Sequence, residues 1–476
     1  FLAAVRAEPG NAEARRGAAE TLLGLGQSED AIAHAIAGLD ATADRDAGLW
    51  LLLARGYEQK GDRLPATEAA AISEAYADAR AKAAQALKFD PSLNAARSIV
   101  AKVSRIQGDL DLARSTLEEG LGKSPRDFGL LFEQGMLRFK EQKYAAALES
   151  FSKACESDPG SSEAQLQRGH AFAFTRDWES AYAAYARAAI LDTANRRPLQ
   201  ALAKYAKDGS PKWFRAILKE KPDHAWAHAY LAYFLAWAKA KDEAGALSEM
   251  KAALALAEGD AELVAWSGLV NEGLGRGEEA LKQYIRAFQA DPMVKMSYDK
   301  LVERATAPPP YSNAKPDERK VLVELVTSKR EVDGVFWNNL GLYHRDVTKD
   351  YRESLEAYLK AAELSPGDQG IQNDTGLVYL YHGKSIGEDQ RKGLPFFMAC
   401  FALVDEEGQT PQMGYRDTLE NLSVYYMEVE KDPEKALLYA TMRNDPDFLR
   451  NLDPSLATPS QRAAAVKAWA EGARKR

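Results

Sequence analysis

Cysteine is nearly absent: two residues, Cys155 and Cys400, stand far apart in a chain of 476. That excludes a disulfide framework and any zinc site built on paired cysteines. Histidine is scarce, at six. No apolar run reaches the roughly 18 residues that a membrane-spanning helix needs. An excess of positive charge is also missing, since 62 Lys and Arg face 70 Asp and Glu for a net charge of -8. That argues against a general binder of nucleic acid or anionic membranes, which presents a basic face, while leaving room for a local basic patch. Both cysteines fall where a small buried residue is expected, so they read as buried free thiols.

What is there is a period. Ala79, Ala113, Ala147 and Ala181 are spaced 34 apart, as are Pro91, Pro125 and Pro159. Gly135 and Gly169, Phe151 and Tyr185, and Ala246 and Ala280 keep the same interval. A fixed period of that length means stacked helical hairpins. It also explains how so long a chain avoids needing one compact core, because a solenoid's core grows along one axis.

Residues 127–160 serve as the template. Leu131, Gly135 and Phe139 mark the inner stripe of a first helix. Ala147, Phe151 and Ala154 lie at i, i+4 and i+7, on one face of a second helix. Asp158-Pro159 ends it, since proline cannot continue a helix. The small residues let helices approach closely, and larger side chains there would push the hairpins apart.

This pattern resembles the tetratricopeptide repeat. Trp50, Leu53, Ala54 and Tyr57 match the first half of its motif; Ala147, Phe151, Ala154 and Pro159 match the second. Gly268, Gly275, Ala280, Tyr284, Ala287 and Pro292 match nearly a whole unit. Trp337, Leu340 and Gly341, with Tyr358, Ala361 and Pro366, match another. The resemblance implies an all-α solenoid of helical hairpins wound as a right-handed superhelix. About eleven units are expected, near 12–45, 47–92, 94–126, 128–160, 162–194, 195–223, 227–259, 261–293, 334–367, 369–407 and 416–450. The unit at 195–223 is short and out of phase. Extra residues at 61–73 and 383–388 are expected in exposed turns.

Ala307-Pro-Pro-Pro310 interrupts the pattern, because consecutive prolines favour a stiff extended link. The expected organisation is an N-terminal array at 1–305, a Pro-rich linker at 306–316, a C-terminal array at 317–450, and a tail at 451–476 with a capping helix from Ser460. Phe1–Pro9 reads as the second half of a hairpin. Residues preceding Phe1 or a removed leader are therefore expected, and cytoplasmic and exported locations both stay open.

No constellation supplies a catalytic residue, a metal set or a cofactor loop. His344-Arg345-Asp346 resembles the start of a kinase catalytic loop, but Tyr351 replaces the required asparagine and no Asp-Phe-Gly follows. Gly273, Gly275 and Gly277 read as a turn, because Glu278 stands where the last glycine of a dinucleotide fingerprint belongs. His224 and His228 share a helical face at i, i+4 without a third ligand. Asn373-Asp-Thr375 and Asn421-Leu-Ser423 match the glycosylation pattern but fall in packed helices.

Two sets of partner-binding candidates remain. Asn339, Asp374 and Asn421 occupy equivalent places on first helices, held by Glu133 and Gln167 in earlier units; in the family this place faces the inner groove. Such a ladder suits hydrogen bonding to an extended peptide, or bonding between neighbouring helices. The second set is Trp226, Tyr230 and Trp237, aromatic anchors beside the irregular unit, or simply core. Phe132, Met136, Leu166 and His170 replace much of the lysine and asparagine clamp of the chaperone-tail subclass. The expected function is a non-enzymatic scaffold that takes a protein or peptide segment. The expectation includes no cofactor, no nucleic acid and no transmembrane segment, and leaves the oligomeric state open. The rival readings are a structural subunit of a larger assembly, and an accessory array of an enzyme whose catalytic part precedes Phe1.

Overall fold

The computed structural model describes residues 1–309, 312–403 and 413–444. The expected tail helix from Ser460 and the middle of the Pro-rich segment lie outside them. Every regular element among the described residues is helical. Within each compact unit the elements pair as hairpins in chain order, and neighbouring hairpins pack on one another. Asp and Asn begin many of them: Asn11, Asp46, Asp127, Asp177, Asp260 and Asp368 each accept a backbone N–H of the first turn, which satisfies donors that the helix itself leaves orphaned. The helices divide into two compact units, Phe1–Glu258 and Gly259–Arg476.

Within a hairpin, the small residue of the first helix receives the aromatic ring of the second. A Cβ built on Gly135 would lie 2.5 Å from the Phe151 ring, and one on Gly169 the same distance from Tyr185. Gly268 with Tyr284, Gly341 with Tyr358 and Gly376 with Phe397 repeat the arrangement at 2.5, 2.9 and 2.7 Å. The rings of Phe151, Tyr185, Tyr358 and Phe397 are fully buried. Apolar burial of this kind supplies most of the driving force, and here it recurs in these five hairpins.

Three local departures from the sequence reading have physical causes. The extra residues near 61–73 do not make a long exposed turn. They lengthen both helices, to Ala47–Arg63 and Ala69–Phe89. Alanine at 69–71 favours helix, and Gly61 packs on the Tyr76 ring. Near 383–388 the first helix runs on to Ile386 and stops at Gly387 in the left-handed region, φ 78°, a conformation that glycine adopts without penalty. The Pro-rich segment joins helices Lys295–Thr306 and Pro316–Lys329, which pack on each other through Leu301, Ala305, Leu322 and Val326. This hairpin was not among the eleven expected units, because its second helix lacks the alanine and aromatic markers.

Candidate functional site

In the first unit, three successive first helices line one groove: Ala47–Arg63, Asn94–Gln107 and Phe128–Lys140. The cavity holds about 380 Å³, enough for side chains of an extended segment. Its lining includes the small residues Ala95, Ser98 and Gly129. A Cβ on Gly129 would meet Ser98 Oγ at 2.8 Å, so the glycine preserves the close approach of two helices. Phe128 and Phe132, one turn apart, are half-buried and stack at 6.0 Å between centroids.

Ion pairs fix the charged lining. Lys102 Nζ donates to Glu58 at 2.8 Å and to Asp62 at 2.7 Å, and Tyr76 Oη donates to Asp62 at 2.7 Å. Burial alone would lower the lysine's pKa, but the two carboxylates hold it above the ordinary value. Burial also lifts the Glu133 carboxyl above the usual range, against the opposing pull of Arg105, whose guanidinium reaches Glu133 at 2.9 Å. Asn94 donates to Asp127 at 3.0 Å. Arg55 is exposed and forms no ion pair among the described residues. The groove thus presents an aromatic shelf, pre-set charges and one uncommitted guanidinium.

The structure distributes the predicted residues unevenly. Glu133 lies in this groove. Gln167 is buried and donates to Glu163 within its own helix at 2.7 Å. In the second unit Asn421 is buried; its Nδ2 donates to Asn373 at 3.0 Å and its Oδ1 accepts from Tyr381 at 3.1 Å. Thr418 donates to the same Asn373 oxygen at 2.7 Å. Asp374 lies 3.6 Å from Arg345, and burial raises its carboxyl's pKa against that cation's pull. Asn339 is half-buried, and its side chain makes no hydrogen bond among the described residues.

The aromatic set also separates. Tyr230 is buried and stacks on Phe214 at 5.4 Å. The Arg196 guanidinium lies 4.2 Å over the Trp226 ring. Trp237 leans on Tyr233 and is 48% exposed. His228 bonds Glu249 at 2.5 Å and the Pro222 carbonyl at 2.9 Å. Among the described residues no group of three or more His, Cys, Asp or Glu is placed to hold a metal ion, and no helix is long and apolar enough to cross a membrane.

Sequence reasoning missed Arg55, Glu58, Lys102 and Phe128. A signal was present. Phe128 and Phe132 sit one turn apart on one helix face, and Phe132 packs only partly on the Phe151 cluster, so the pair of bulky rings leaves apolar area exposed.

Residues 101–162 and 132–196 match a family model described as tetratricopeptide repeat. A comparison with curated proteins finds no match. Among solved structures, the chain is similar to YrrB, described as a TPR protein with an unusual peptide-binding site, at 20% identity over 42% of this chain and 96% of that one, with a TM-score of 0.29. It is similar to PilF of Pseudomonas aeruginosa at 15% identity, over 54% of this chain and 97% of that one, with a TM-score of 0.32. Similarity to a chain of the Cut9–Hcn1 hetero-tetramer covers 97% of this chain and 90% of that one, at 15% identity and a TM-score of 0.32.

Proposed function

The chain is built of tetratricopeptide repeats, and on that premise we propose that it is a non-enzymatic scaffold whose first unit holds an extended segment of a partner protein in the 380 Å³ groove. The observation that carries this reading is the half-buried Phe128–Phe132 shelf within a groove where Glu58, Lys102 and Glu133 are held by ion pairs. Rings left half-exposed beside small residues offer apolar area to an incoming side chain, and aromatic anchors dominate interface energies. Pre-set charges reduce the ordering cost of binding. In the second unit, Asn339 is the proposed amide contact, since Asp374 and Asn421 are engaged by Arg345, Asn373 and Tyr381. The test is affinity capture of partners by the wild type beside Phe132→Ala and Arg55→Glu, with helicity matched by circular dichroism. Loss of one dominant partner in both variants supports the groove; unchanged capture contradicts it and favours a subunit held by other faces.

A further inference from the structure

Residues 195–221 carry eight Lys and Arg against two Asp and Glu, in a chain whose net charge is -8. They form the irregular hairpin of helices Arg197–Ala206 and Ser210–Glu220. The second helix buries Ser210, Phe214 and Ile217. Lys212, Arg215 and Lys219, at i, i+3 and i+7, lie on its opposite, exposed face. Lys204 and Lys207 add two exposed cations from the preceding helix and turn.

Arg197 pairs with Glu163 at 3.0 Å, but the five exposed cations of this face are barely compensated among the described residues. Lys212 approaches Glu179 at 3.4 Å, but their side chains are 69% and 75% exposed, and such pairs contribute little. Lys204, Lys207, Arg215 and Lys219 form no ion pair among the described residues. Two ammonium groups are instead held over rings: Lys204 Nζ lies 5.2 Å from the Tyr205 centroid and Lys212 Nζ 4.8 Å from that of Trp213. The rings anchor the lysines and leave their charge unneutralised.

We infer that this face is a second docking surface, separate from the groove, and that its occupant is an acidic segment of a partner protein. Charge complementarity selects a polyanion, and the rings decide which. A single-stranded nucleic acid needs free aromatic faces on which bases stack. Here Tyr205 carries Lys204 and stacks on Tyr185 at 6.4 Å, while Trp213 carries Lys212 and meets Tyr182 edge-on at 6.0 Å. Committed rings under uncommitted cations suit carboxylates. A plain solvated face would show its cations interspersed with acids, as on the helix Leu110–Lys123.

The test measures binding of a fluorescein-labelled poly-glutamate peptide to the full chain by anisotropy. The triple variant Lys212→Gln, Arg215→Gln, Lys219→Gln is compared with a control of equal net charge, Lys88→Gln, Lys153→Gln, Lys282→Gln. The expected result is binding by the wild type that weakens with salt, a loss of at least about tenfold in the first triple, and a change below about twofold in the control. Should the first triple misfold by circular dichroism, Lys204→Gln, Lys207→Gln reads the same surface. No binding by the wild type, equal loss in both triples, or tighter binding of a labelled single-stranded oligonucleotide would overturn the inference. Phe132→Ala leaves this probe's binding unchanged, so this inference and the groove reading fail independently.

Discussion

Gly169 faces the ring of Tyr185 so closely that a Cβ on the glycine would sit 2.5 Å from the ring's edge. The tyrosine is fully buried and its Oη is tied to His170 Nδ1 at 2.9 Å, so the ring has no room to retreat. This one contact states why the repeat demands a small residue there. Gly169→Ala gains about 1 kcal/mol of helix propensity but overpacks the hairpin, which costs about 1–3 kcal/mol. The expected outcome is a net loss of stability in urea unfolding, relieved in the double variant with Tyr185→Leu.

The Pro-rich segment is anchored by Arg319. This buried side chain donates from Nε to the Ala314 carbonyl at 3.1 Å, from Nη1 to Ala305 at 2.9 Å and from Nη2 to Ser312 at 3.2 Å. Its guanidinium also lies 4.0 Å from the Tyr343 ring centroid. Only a planar fork reaches three carbonyls at once. Arg319→Met and Arg319→Lys are both expected to destabilise by at least about 2 kcal/mol, since each leaves buried carbonyl oxygens unsatisfied. A melting curve for the lysine variant that matches the wild type would contradict this role.

His224 makes stability depend on pH. The side chain is buried and Nε2 has no hydrogen-bond partner among the described residues. Burial pushes its pKa from 6.5 down to about 4, with Asp223 and Asp192 opposing and His228 assisting. The folded state therefore binds a proton less readily than the unfolded chain. This contribution is fully present above the unfolded value and is lost as pH falls from about 6.5 towards about 4, at up to about 1.4 kcal/mol per pH unit. His224→Gln is expected to flatten that slope in denaturant titrations across the window.

Asn421 and Asn339 hold equivalent places in sequence and unequal ones in the structure. Asn421→Ala strips two hydrogen bonds from a buried network and leaves Asn373 and Tyr381 short of partners. A loss of about 1–3 kcal/mol is expected. Asn339→Ala removes no hydrogen bond among the described residues, so its stability is expected within about 0.5 kcal/mol of the wild type. Any partner affinity lost in the Asn339 variant then reports direct contact.

The architecture was legible because the repeat writes its packing into fixed positions. Gly135, Ala147 and Phe151 are followed 34 residues on by Gly169, Ala181 and Tyr185, since both hairpins solve the same steric problem. The hairpin around the Pro-rich segment was not legible, because Arg319 replaces the usual ring-and-glycine lock with hydrogen bonds that leave no periodic mark. The groove was only half legible. Glu133 was named from its register and lines the groove, whereas Lys102 and Glu58 meet across 44 residues through an ion pair that no motif encodes. Asn421 was expected on the inner stripe with its partner undecided between a peptide and neighbouring helices, and the structure buries it against Asn373 and Tyr381.

The most direct measurement places a photoreactive phenylalanine analogue at position 132, with the same analogue at position 237 as comparison, in the source cell. The account predicts one discrete crosslinked protein from position 132, joined through a single short segment and abolished by Arg55→Glu. Crosslinks from position 237 alone, with position 132 silent, would contradict it.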